Sequence, residues 1–173
     1  MENAPRLQKT GPLKVAGLRK HHPFGDAMSA RLAAQWQAFI PLLAGIGQAK
    51  GRVTYGVCFD SQDDKDNKGD KAGFDYLSAV EVTSTGAIQP PLVSATVPAK
   101  TYAVFDHGGH VSSISNTVQS AWDWLASSGR QHDGRGADPV FIERYGEKFD
   151  PRSGAGDIEI WLPVKDKSGS GSG

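Results

Sequence analysis

The sequence predicts an α+β fold made of a duplicated strand-helix-strand-strand unit with pseudo-twofold symmetry. Two helices should lie on an antiparallel sheet with a central groove between them. Three observations predict it. Strand-like and helix-like apolar patterns follow that order twice along the chain. Equivalent residues recur at one spacing, Val53 and Val140 lying 87 positions apart, as do Ala16 and Ala103. The 173 residues include 21 glycines and 10 prolines, enough punctuation for several strands.

In the first half, residues 1–84, Lys14–Lys20 reads as a strand. Pro23–Asp26 makes a turn, with Asp26 a candidate N-cap. Met28, Leu32, Trp36, Phe39 and Ile40 then share one helical face, and Pro41 should end or kink the helix. Val53–Asp60 and Phe74–Ser84 read as strands flanking a charged block, Asp60–Gly73, expected to be a solvated loop. Residues 85–99 carry Pro90, Pro91 and Pro98 and should be an extended connector.

The second half, residues 100–167, repeats the order. Lys100–Asp106 reads as a strand and Gly108-Gly109 as its turn. Val111, Ile114, Val118, Ala121, Trp122 and Leu125 form a helical stripe that Gly129 should stop. Val140–Gly146 and Asp157–Val164 are the last strands. Ala16 precedes Trp36 by 20 positions, and Ala103 precedes Trp122 by 19 and Trp124 by 21. We take Trp124 as the match of Trp36. Residues 168–173 alternate Ser and Gly, the composition of a flexible linker.

Composition narrows the function. Lys plus Arg and Asp plus Glu both number 19, so the net charge is zero. That is poor for direct nucleic-acid binding or a polybasic membrane anchor. The longest apolar run is far short of the ~18 residues of a membrane span. The polar start of the chain suggests no export, which makes a cytoplasmic setting the default. One cysteine, Cys58, allows no internal disulfide and no Cys-rich zinc site, and a buried inert thiol is expected. His21-His22 and the His107/His110 pair are weak metal candidates, and no metal is expected. The stretch from Asp64 imitates an EF-hand loop only up to its glycine, with Lys68 at a ligand position. There is no Walker, dinucleotide or G-x-S-x-G motif, so no cofactor is implied.

Glu143 stands out. Strand alternation puts Phe141, Glu143 and Tyr145 on one face of a central strand. Burying that carboxylate without a partner is unfavourable, so it is either a counter-charge for a cationic ligand, or it points outward or pairs with a neighbouring basic residue such as Arg144 or Lys148. Trp36, Tyr55, Tyr76, Trp124 and Trp161 are further candidates for flat aromatic walls around it. Any one of them could equally be core.

Taken in order, VPAKTYAVFDHGG, AWDWLASSG, DPVFIERYGEKFDP and DIEIWLPV resemble the GyrI-like small-molecule-binding family. The same family supplies the effector-binding domain of AraC-type and MerR-type multidrug-responsive regulators. KVAGLR, FIPLL, VTYGVCFD and GFDYLSAVEV fit the pattern in the first half, so the resemblance spans about residues 10–165. It implies a groove for hydrophobic, often cationic or planar, small molecules, with Glu143 at the family's central pocket acid. Any DNA-binding or other protein partner would be separate. A second reading is a hydrolase of reactive electrophiles, with Glu143 as acid/base and Tyr145 or Tyr55 positioning water. A third is a gyrase-inhibitor-like protein.

Overall fold

The computed structural model describes residues 4–60, 72–134 and 137–166. The strands are β1 (Arg6–Lys9), β2 (Leu13–Pro23), β3 (Ala49–Asp60), β4 (Gly73–Val82), β5 (Val93–Val97), β6 (Thr101–His107), β7 (Pro139–Tyr145) and β8 (Ile158–Val164). Two 3.6-periodic stretches form α1 (Met28–Leu43) and α2 (Ile114–Ser128), the latter entered through a short turn at Val111–Ser113. Most of the charged block, the EF-hand-like stretch up to residue 71 and the terminal Ser-Gly tail lie outside the described residues.

Every strand belongs to one antiparallel sheet, ordered β1-β6-β8-β7-β3-β4-β2-β5. The duplication extends to register. Lys9 stands opposite Thr101 on the β1–β6 edge, and Thr96 opposite Lys14 on the β5–β2 edge. These pairs are related by the same 87-residue offset. β5 lies in the segment expected to be a plain connector, and β1 in the polar N-terminal stretch. Each is short and finds its partner in the other half, so neither shows in a local pattern.

The edge strands also decide the curvature of the sheet. β1 and β2 stand six places apart in it, as do β5 and β6, yet residues 10–12 and 98–100 join them. A flat sheet would separate such strands by roughly 29 Å, while a link of three residues spans at most roughly 14 Å. The sheet therefore curls until the two links touch, Thr10 N–H donating to the Lys100 carbonyl at 3.0 Å. Curling buries the face that carries no helix. Val57, Leu77 and Ile142 are inaccessible there, packed with Tyr55, Tyr102 and Trp161.

The helices cover the wings of the other face. α1 packs Phe39 against Ala16, Leu18 and Val80, and α2 packs Ala121 and Leu125 against Ala103, Phe105, Ile160 and Leu162. Several local expectations change. The α1 stripe is rotated, so that Gln35 and Phe39 point inward while Ile40 is 50% exposed. Its N-cap is Ala27 rather than Asp26, and it makes no side-chain cap bond. Pro41 sits inside the helix, which runs on to Leu43. In the last turn a missing N–H removes only one intrahelical bond. Gly129 ends α2 as expected, at φ 77°.

Phe39 and Ile40 are neighbours with opposite fates, which gives a direct test. Phe39→Ala should lower the unfolding free energy by about 3–5 kcal/mol. Ile40→Ala should stay within about 0.5 kcal/mol of wild type. Chemical denaturation with fluorescence detection measures both.

Candidate ligand-binding site

The two central strands, β3 and β7, carry the site, since α1 packs chiefly on β2 and β4 and α2 on β6 and β8. Residues opposite each other in an antiparallel pair share a face. The register therefore draws one row across the helix side of the sheet, Ile160, Glu143, Gly56, Ser78 and Leu18. A second row, Phe141, Cys58 and Tyr76, runs beside it. Tyr145 lies two residues along β7 from Glu143, on the same face.

Glu143 is 7% exposed. Its Oε1 accepts hydrogen bonds from the Tyr76 hydroxyl at 2.6 Å and the Tyr145 hydroxyl at 2.8 Å. Among the described residues Oε2 takes no hydrogen bond. The Tyr76 oxygen in turn accepts from Trp36 Nε1 at 3.0 Å, so a chain of donors runs from α1 down to the acid. The Trp36 ring lies edge-on to Tyr145 at 5.5 Å, and the Phe149 ring also packs on Tyr145, at 4.9 Å. Chained hydrogen bonds in such a dry setting polarise one another.

Burial raises the Glu143 carboxyl above its ordinary value, and the two tyrosine hydroxyls oppose that shift only in part. Among the described residues no cationic side chain contributes. The alternative of pairing with Arg144 does not form, because alternation turns Arg144 to the opposite face, where it meets Asp157 at 3.9 Å and Glu159 at 3.7 Å. Burial also pushes the Tyr76, Tyr145 and Cys58 groups well up, with Glu143 adding to each shift. All three stay neutral near pH 7, leaving the floor one ionisable acid.

Of the candidates read from the sequence, the structure brings Glu143, Tyr145, Tyr76 and Trp36 together and places Phe141 next along the same face. Tyr55 and Trp161 are separated from Glu143 by the sheet. They sit at odd positions relative to Gly56 and to Ile160, in the core of the curled face, 6.4 Å ring to ring. Trp124 packs edge-on to Phe105 at 5.6 Å, over β6 and two strands from Glu143. It is also not the twin of Trp36. The inward pairs Gln35/Phe39 and Ala121/Leu125 align Trp36 with Trp122 instead.

Sequence reasoning missed three contributors. Gly56 leaves the space into which Tyr76 reaches, since a Cβ there would collide with its hydroxyl and come within 2.7 Å of Glu143 Oε1. Gln35, 1% exposed, donates to the Leu18 and Tyr76 carbonyls at 2.9 Å each and accepts from His22 Nε2 at 2.5 Å. It anchors α1 one residue before Trp36. The signal available was a polar residue four positions before Phe39. The third is Phe149, in the loop after β7.

The weak metal candidates are engaged otherwise. His21 pairs with Asp75 at 3.1 Å, and His107 bonds the Thr117 hydroxyl at 2.7 Å and the His110 carbonyl at 2.8 Å.

A duplicated α+β domain whose helices flank a buried acid ringed by aromatics belongs to the class of small-molecule-binding domains. The model of the GyrI-like small molecule binding domain matches residues 3–165, and the chain belongs to that family. It is 28% identical over 149 residues to the transcriptional regulator BrlR of Pseudomonas aeruginosa PAO1, covering 82% of this chain and 49% of that one. The chain thus spans about half the length of this curated relative. The fold matches a structure of SAV2435 bound to tetraphenylphosphonium, with TM-score 0.73, 21% identity and coverage of 98% and 97%. It also matches the EcmrR C-terminal domain, with TM-score 0.62, 16% identity and coverage of 93% and 96%. No helix among the described residues is long and apolar enough to cross a membrane.

The raised carboxyl has a consequence for stability. The folded chain holds the Glu143 proton more tightly than the unfolded chain does, so protonation contributes stability at low pH. Wild type should lose stability relative to Glu143→Gln from about pH 4.5, the ordinary value, upward. The gap should be complete above the raised folded value. Thermal melts of both proteins across pH 3–9 check this, and a gap that widens toward acid would contradict it.

Proposed function

We propose that the domain binds hydrophobic organic cations between α1 and α2, with Glu143 as the buried counter-charge. The observation that carries this reading is a carboxylate nine-tenths buried with no cationic partner among the described residues. Leaving such a charge unmatched is unfavourable, and a ligand bringing one positive charge removes the penalty. The aromatic faces of Trp36 and Tyr145 add cation–π attraction and tolerate planar ligands.

Trp36 donates from α1 to the Tyr76 hydroxyl that holds the acid, so a ligand reaching Glu143 from the α1 side competes with that bond. Both tyrosine hydroxyls hold Oε1 and leave Oε2 for the ligand. The tetraphenylphosphonium complex of SAV2435 supports the ligand chemistry. The match to half of a transcriptional regulator supports a sensing role, in which occupancy is reported to a DNA-binding segment or partner.

A cation favours ionised Glu143, so binding should expel its proton and strengthen as pH rises through the Glu143 value. For wild type, titration with tetraphenylphosphonium should raise the melting temperature and change tryptophan fluorescence. Glu143→Gln should weaken it by about 100-fold or more and leave neutral triphenylphosphine oxide within a few-fold. Equal loss for both compounds would refute the counter-charge. Ligand should be recovered unchanged; consumption that depends on Glu143 would instead make it an acid/base of a hydrolase.

A further inference from the structure

We propose that this site accepts a single positive charge and rejects rigid dications. The proposal rests on Glu143 being the counter-charge and adds a limit on what that acid can match.

The limit comes from the duplication. The 87-residue offset carries Gly56 onto Glu143, and these two residues stand opposite each other on β3 and β7. The flanking pairs Tyr55–Arg144 and Val57–Ile142 exchange under the same offset. The pseudo-twofold axis therefore passes between Gly56 and Glu143. A symmetric ancestor would carry two like residues at this point, but this chain carries an acid and a glycine.

The vacant half cannot take a second acid. The space above Gly56 already holds the Tyr76 hydroxyl and Glu143 Oε1. The same offset carries Cys58 onto Tyr145, so the next symmetric position holds a thiol, which burial keeps protonated. No other carboxylate acts on Glu143 among the described residues. Asp60, farther along the helix side of β3, is exposed and four residues from Gly56, roughly 13 Å along the strand.

One delocalised charge therefore neutralises the floor. A second charge on the same rigid ring system would sit among the faces of Trp36, Tyr145 and Phe141 with no anion to meet it. Cation–π attraction alone falls short of the desolvation penalty of a buried ion.

The test uses two rigid biaryls of one shape on the full chain. These are 1-methyl-4-phenylpyridinium, with one charge, and 1,1′-dimethyl-4,4′-bipyridinium, with two. Tetraphenylphosphonium serves as control, and calorimetry or thermal shift gives the affinities. The monocation should bind at least about 100-fold more tightly than the dication. Equal affinities, tighter binding of the dication, or no binding of the monocation would overturn the proposal. If tetraphenylphosphonium still binds and still needs Glu143, the counter-charge reading survives that failure. If tetraphenylphosphonium binding is absent or indifferent to Glu143→Gln, both fall.

Discussion

The pairing of β3 with β7 is the constraint on which the rest depends. It is the seam where the two halves join, and the remaining strands add outward from it in matched order. Eight strands twisted in one sense cannot stay flat when three-residue links tie opposite wings together. The sheet curls and buries one face on itself. That leaves the helices only the other face, where they settle over the wings on either side of the seam. Their placement follows from closing a duplicated sheet with short links.

Symmetry builds the seam and asymmetry gives it chemistry. At the seam the two copies differ as Gly56 and Glu143, and beside it as Cys58 and Tyr145. On the helices they differ as Gln35 and Ala121. The first copy provides room, the Tyr76 hydroxyl and an anchored helix carrying Trp36. The second copy provides the acid and Tyr145. Neither half alone holds the hydrogen-bonded set around Oε1.

That set is a local compromise. Among the described residues, two hydroxyls and no cation hold a carboxylate that water would solvate better. Such a group weakens the fold whenever it is ionised. Domains of this family bind small molecules.

Much of the fold was legible because it is periodic. The order of elements, the 87-residue repeat, the stop at Gly129 and the face shared by Glu143 and Tyr145 follow from local patterns of 2.0 and 3.6 residues. β1 and β5 were hidden because their strand character comes from partners in the other half. The rotation of α1 was hidden because Gln35 is polar, and its place inside depends on His22 and two sheet carbonyls. Tyr55 and Trp161 show the limit most clearly. As aromatic strand residues they resemble Tyr76 and Tyr145, and only the register assigns each pair its side. The sequence by itself determined the repeat, the fold class and the acid. The tertiary structure decided which aromatics meet that acid and that no cation among the described residues does, because facing and burial arise from pairings between strands far apart in the chain.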